Sequence, residues 1–141
     1  MKHVRDIMER FGIPEEVFKR LAAIEAQDTV FVGTPEVMKF TAVRPMRRGI
    51  RLCRLFPYSV KPTSFAMQVL GRHATRNIID LSDEQIRSII NGNELRVEAE
   101  ADNGFVLLRW HEFVIGVGLY RKPVLKSQIP RFRSVEEPGS D

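Results

Sequence analysis

Gly104-Phe105-Val106-Leu107-Leu108-Arg109-Trp110-His111-Glu112-Phe113-Val114-Ile115-Gly116-Val117-Gly118-Leu119-Tyr120 holds two β-rich runs, 105–110 and 113–120, separated by two residues. Branched and aromatic side chains suit a pleated surface, and a two-residue gap is the length of a tight hairpin turn, although His111-Glu112 is not the favoured Asn-Gly pair. Gly116 and Gly118 stand two apart and share one face of the second run. Their missing side chains let another backbone or a ligand come close, and a bulge or a barrel corner accounts for them as well.

Immediately upstream, Ser82 with Gln85 three residues on forms a capping box. It predicts a helix with Ile86, Ile89 and Ile90 buried and Asn91-Gly92 as its stop. Asn77-Ile78-Ile79-Asp80-Leu81 reads as a short extended piece, and Lys61-Pro62-Thr63-Ser64 caps a helix carrying Phe65, Met67, Val69 and Leu70 up to Gly71. Over 48–56 the alternation predicts a strand with Ile50, Leu52, Arg54 and Phe56 on one side and Arg51, Cys53 and Leu55 on the other. Thr29-Val30-Phe31-Val32 is a further strand, after which Thr34 can cap a helix beginning at Pro35.

At the amino terminus Val4, Ile7, Met8 and Phe11 share a helical face that Gly12 ends, and a second helix is predicted over 15–26 on Val17, Phe18, Leu21 and Ile24. The pair reads as a helical hairpin. After Pro123 the segment 124–133 closes the fold and 134–141 reads as a frayed tail. Short strands interrupted by one or two helices and closed by a hairpin predict a small mixed α+β fold around a barrel or half-barrel.

The charge pattern points to a partner. Between Thr41 and Ile79 stand Arg44, Arg47, Arg48, Arg51, Arg54, Lys61, Arg72 and Arg76 with no Asp or Glu, a charge of +8. Residues 80–105 then hold seven acids against Arg87 and Arg96, and 106–133 return to Arg109, Arg121, Lys122, Lys126, Arg131 and Arg133 against Glu112. Uncompensated cations repel one another, and phosphates relieve that cost; a solvated basic face without a ligand is the alternative. Arginine's planar fork suits phosphate in particular.

Several chemistries are excluded or unsupported. Cys53 is the single cysteine among 141 residues, so an intrachain disulfide and a multi-cysteine zinc site are ruled out. The sequence has neither type of Gly-rich phosphate loop, no HExxH and no paired Cys-x-x-Cys. His73 and His111 have no evident nucleophile to activate, and Cys53 reads as a small buried strand residue rather than a reactive thiol. The acids Glu94, Glu98, Glu100 and Asp102 read as a solvated loop rather than a metal site. No catalytic residue, metal or cofactor is expected, nor a membrane partner, and the absence of an apolar amino-terminal block predicts a cytoplasmic location.

Nucleic acid fits the remainder. Phe56, Tyr58, Phe65, Trp110, Tyr120 and Phe132 are interleaved with the arginines and offer flat surfaces for bases, with most expected in the core and one or two exposed. Without a long basic helix or a helix-turn-helix, RNA is favoured over the DNA major groove.

Gly49-Ile50-Arg51, Lys61-Pro62-Thr63, Gly71-Arg72-His73-Ala74-Thr75-Arg76-Asn77, Gly104-Phe105-Val106-Leu107-Leu108, Gly116-Val117-Gly118-Leu119-Tyr120 and Leu125-Lys126-Ser127-Gln128-Ile129-Pro130 carry a family resemblance. The chain resembles, over roughly 29–133, the PUA-type RNA-binding domain attached to Sun-family RNA cytosine-5 methyltransferases, here encoded alone. The resemblance implies a PUA-like mixed β pseudo-barrel with short helices, preceded by an N-terminal helical extension over 1–28. It also implies RNA contacts in 71–76, at Gly116 and Gly118, and at Lys126 with Arg131. Those methyltransferases use two cysteines, one of them in a Pro-Cys dipeptide, on a nucleotide-binding fold. This chain has only Leu52-Cys53, so it is expected to be non-enzymatic alone.

Charge and resemblance together give the expected RNA contacts as Arg47, Arg48, Arg51, Arg54, Lys61, Arg72, His73, Arg76, Arg121, Lys122, Lys126 and Arg131. The expected ligand is structured transfer or ribosomal RNA, in RNA modification or ribosome biogenesis. Two rival readings stand beside it. One is a non-catalytic subunit that docks a separately encoded RNA-modifying enzyme or other acidic protein; the other is a small enzyme acting on a phosphorylated or nucleotide substrate.

Overall fold

A computed structural model describes residues 2–36 and 49–130, in which two sheets and several short helices meet on either side of one shared layer. In chain order the elements are α1 (Lys2–Phe11), α2 (Glu15–Lys19), β1 (Ala22–Ala26), β2 (Thr29–Gly33), β3 (Ile50–Phe56), β4 (Ser59–Pro62) and α3 (Ser64–Leu70). A 3-10 turn (Gly71–His73), β5 (Ile78–Leu81), α4 (Asp83–Ile90), β6 (Leu95–Arg96), β7 (Gly104–Trp110), β8 (Phe113–Arg121) and β9 (Val124–Ser127) follow.

The hairpin expected over 105–120 is present as β7–β8. His111 occupies the left-handed region at its turn, φ 54°, the conformation Asn-Gly is usually needed for. β8 also pairs with β9, β9 with the short β6, and β5 runs parallel to β7, giving the order β5-β7-β8-β9-β6. A parallel neighbour requires a crossover, and α4 with the acidic loop supplies it. Ser82 and Gln85 form the predicted capping box, Gln85 N donating to Ser82 Oγ at 3.2 Å and Ser82 N to Gln85 Oε1 at 2.9 Å.

This second sheet separates two apolar clusters. On one face Leu107, Val114 and Val117 pack with α1, α2, α3 and the inner side of the first sheet, β1-β2-β3-β4, through Ile7, Phe11, Phe18, Met67, Val30 and Leu52. On the other, Val106, Leu108, Tyr120 and Leu125 pack with Ile79, Leu81 and Ile89. Each fully buried aliphatic side chain contributes about 1.5–3 kcal/mol. The alternation along β7 and β8, buried on both faces, is what divides these side chains between the two clusters.

Two expectations are corrected. The second helix stops at Lys19 instead of reaching Ala26, because 22–26 pairs with β2 over five rungs. Leu21 and Ile24 fit a helical face, but the β-rich Thr29–Gly33 run offers a ladder that a five-residue segment of Ala-Ala-Ile-Glu-Ala accepts through the turn at Gln27, φ 57°. The amino-terminal segment is therefore one full helix, one short helix and a strand rather than a helical hairpin. Ile90, expected inside, is 60% exposed, since only Ile89 on α4 points squarely at the sheet. Of the helix expected from Pro35, Pro35 and Glu36 are helical, and the residues after them lie outside the described residues.

Candidate nucleic-acid interface

Strand β3 departs from strict alternation. Val30 of β2 opposes Cys53, whereas the next residue, Phe31, opposes Arg51, so Leu52 is an extra residue on β3. The bulge turns Leu52 and Cys53 both inward, each fully buried, and leaves Arg51 and Arg54 both outward. The predicted grouping of Leu52 with Arg54 and of Arg51 with Cys53 is replaced by one basic and one apolar face. Lys61 of β4 stands directly across from Arg54, which adds a third cation to the same outward face.

This face is held in place by Thr63. Its hydroxyl donates to the Arg51 carbonyl and accepts from Ala66 N at 3.2 Å, the N-cap bond of α3, while Thr63 N donates to Leu52 O at 2.9 Å. Arg54 reaches Asp28 at 3.5 Å and lies 5.7 Å from the centroid of the Phe56 ring. The Asp28 carboxyl is held below its ordinary value, chiefly by the Thr29 hydroxyl and then by Arg54. Arg51 and Lys61 make no ion pair with described residues.

The β3–β4 turn continues from this face into an open cleft. Phe56 at the end of β3, Tyr58 of the turn, α1 and the start of β7 enclose about 570 Å³. Tyr58 is 101% exposed and Phe56 46% exposed. The expectation that most aromatics lie in the core is met by Tyr120 and not by Phe56, Tyr58 or Phe65, all exposed. Tyr120 is fully buried, donates to Val97 O at 2.7 Å and accepts from Ala99 N at 3.1 Å, so it fastens the acidic loop and presents no ring to solvent. Phe132 lies outside the described residues.

The remaining predicted cations stand elsewhere. Arg72 donates to His73 Nε2 at 3.2 Å, and Arg76 passes beside Gly12 at the end of α1. Arg121 ends β8, Lys122 begins the β8–β9 turn, and Lys126 on β9 pairs with Glu94 at 3.2 Å. The described members of the predicted set thus stand on β3 and β4, in the 72–76 connection, and at the β8–β9 turn and on β9. Arg47, Arg48 and Arg131 lie outside the described residues. Gly116 and Gly118 are buried, and the space beside them is filled by Ile129 and by Leu108 and Leu125, so the close approach predicted there is made by the protein's own side chains.

Two other sites are settled by electrostatics. Cys53 is buried and its thiol is pushed up to about 11, first by burial and then by the charges of Glu25 and Asp6. Asp80 accepts two bonds from Arg109, at 2.6 and 3.0 Å, and is held below the usual carboxylate range by them. Among the described residues no cluster of His, Cys, Asp and Glu could hold a metal ion, and no helix is long and apolar enough to cross a membrane. A second cleft of about 640 Å³ between α4 and the second sheet is lined by Ile86, Ile90, Trp110, Ile115 and Ile129 and, among the described residues, by no charged side chain.

A curled mixed sheet closed by β9 and β6, with short helices on its faces, a second antiparallel sheet against it and a helix ahead of them, is an α+β PUA-like pseudo-barrel. Residues 76–133 match the family described as the Methyltransferase RsmF PUA domain. The chain is also 24% identical over 130 residues to the Ribosomal RNA small subunit methyltransferase F of Aeromonas salmonicida (strain A449), covering 91% of this chain and 26% of that protein. Over 76–133 the chain is thus similar to a PUA domain of the kind attached to an RNA methyltransferase, and the whole chain spans about a quarter of the relative it matches. The part matched by the family is the PUA domain and not a catalytic one.

Sequence reasoning missed the cleft and its aromatic lip. Pro57-Tyr58, two turn-forming residues between β-rich runs, was the available signal for a tip that displays its ring to solvent.

Proposed function

We propose that this protein is a non-catalytic RNA-binding module that grips structured RNA, ribosomal or transfer, from the outer face of β3 and β4. The observation that carries the reading is the bulge at Leu52, which turns Arg51 to the outer side that carries Arg54 and the half-buried Lys61, with a single partner carboxylate among the described residues, Asp28. Three such cations set apart from the acidic loop would repel one another without an anion, and RNA phosphates supply it. Arg72, His73 and Arg76, and Arg121 with Lys122, extend the contact on neighbouring surfaces. The match to a ribosomal RNA methyltransferase favours ribosomal RNA, RNA modification as the setting and the cytoplasm as the place. The test is gel shift of purified RNA against the protein alone over a salt series. Binding whose logarithm falls linearly with the logarithm of salt supports the reading, and absence of binding at low salt contradicts it.

A second reading is favoured by the uncharged cleft beside Ile90 and Trp110. Charge-free apolar lining suits a protein contact better than RNA, and it fits a module that docks a separately encoded RNA-modifying enzyme. Under that reading Ile90→Asp abolishes co-purification with such an enzyme while RNA affinity stays as in the parent.

A further inference from the structure

We infer that the cleft between α1 and the β3–β4 turn takes a single unpaired nucleotide of the bound RNA, its base stacked on Tyr58. The inference rests on the RNA-binding reading and adds to it a class of RNA and a subsite that charge alone does not indicate.

The cleft measures about 570 Å³, within the roughly 300–1,000 Å³ of sites for small organic ligands. Its lip carries a tyrosine ring that touches almost nothing of its own chain, since Tyr58 is as exposed as a side chain can be. A flat π surface held on a two-residue turn between paired strands is a stacking platform of the kind that single-stranded RNA uses. Phe56 lines the same cleft, and the Arg54 guanidinium beside its ring joins the cleft to the basic face that holds Arg51 and Lys61.

The floor supplies polar recognition. Arg10 is fixed there by donating Nε to Phe105 O at 2.9 Å and Nη2 to the carbonyls of Asp102 at 2.9 Å and Asn103 at 3.2 Å. The Asn103 side-chain oxygen accepts from Lys122 N at 2.9 Å, which leaves its amide nitrogen as a donor with no partner among the described residues. Lys2, exposed on the rim, makes no ion pair with described residues and supplies charge for a phosphate; Asp6 is the one carboxylate among the described residues of the lining. Arg10 also faces the Asp102 carboxylate at 4.0 Å, so it holds the floor in place, and the amide donor, the unpaired charge of Lys2 and the aromatic lip are what suit a base with its phosphate. The cleft beside Trp110 has an aromatic ring but no charged side chain among the described residues of its lining.

The experiment compares the parent, Tyr58→Ala and Tyr58→Phe on two probes, a short single-stranded oligoribonucleotide and an RNA duplex of the same length, each over a salt series. The inference predicts that Tyr58→Ala weakens single-strand binding about tenfold, that Tyr58→Phe restores it, and that neither changes the salt slope or duplex binding. Because Tyr58 is wholly exposed, both variants fold. If the parent binds RNA with a salt slope and Tyr58→Ala binds both probes equally well, the cleft does not hold a nucleotide, the ring belongs to a protein contact, and the RNA-binding reading stands. Should the parent bind neither probe, both readings fail together.

Discussion

Arg54 and Lys61 face each other across the antiparallel ladder of β3 and β4, two cations on one outward surface with Asp28 in ion-pair reach of Arg54. Like charges directly opposite in a sheet are destabilising, and an anion bound at the surface would relieve that cost. The pair faces out by alternation from the buried Cys53, and the inserted Leu52 brings Arg51 to the same side.

Removing this repulsion should not harm the fold. Lys61→Gln is expected to leave stability within about 0.5 kcal/mol of the parent, or to raise it slightly, while weakening RNA binding. Urea denaturation beside a gel shift checks both halves.

Asn77 ties three elements together. Its amide nitrogen donates to Arg10 O at 2.6 Å, its oxygen accepts from Asp102 N at 2.9 Å, and its backbone holds φ 57°. Asn77→Ala strands two polar backbone groups and places alanine in the left-handed region, so a loss of about 2–4 kcal/mol is expected by urea denaturation.

Gly116 tests the closeness of the second sheet to the segment after β9. An added methyl would press on Ile129 and come within 3.0 Å of Ser64 Oγ, the hydroxyl that accepts from Val117 N. Gly116→Ala is expected to cost about 1–3 kcal/mol, read as a lower thermal midpoint.

The Asp80–Arg109 pair carries a pH dependence. The folded carboxyl lies below its unfolded value, so the pair's contribution is present above the ordinary Asp value of about 4 and is lost as pH falls through the folded value. Both groups are partly exposed, so solvent screening keeps the contribution under about 1 kcal/mol. Asp80→Asn should be less stable than the parent at neutral pH, with the difference vanishing in acid; equal midpoints at pH 7 would count against it.

Cys53 should be silent toward thiol reagents. With its thiol buried and pushed up to about 11, the folded protein is expected to react with a disulfide reagent at pH 8 only at its opening rate, and fully once unfolded in urea.

What was legible in the sequence was local. The Ser82–Gln85 box, the Thr63 cap and the β7–β8 hairpin each depend on a few neighbouring residues, and each stands as expected. The bulge at Leu52 was not legible, because it is set by the register of β2 against β3, and 50–56 by itself alternates plausibly. Strand β1 was missed for a related reason, since Ala22–Ala26 has no strong preference until β2 pairs with it. The two tyrosines show the same limit at the site: Tyr120 sits mid-strand between two packed layers and Tyr58 at a turn tip, and only the fold tells core from surface.

The most direct test is the salt slope of RNA binding for the parent beside the triple variant Arg51→Gln, Arg54→Gln, Lys61→Gln. If these three side chains meet phosphates, affinity falls and the slope of log affinity against log salt shrinks by about two to three, roughly 0.7–0.9 for each phosphate no longer neutralised. A variant that folds as the parent does and keeps both its affinity and its slope would contradict the account.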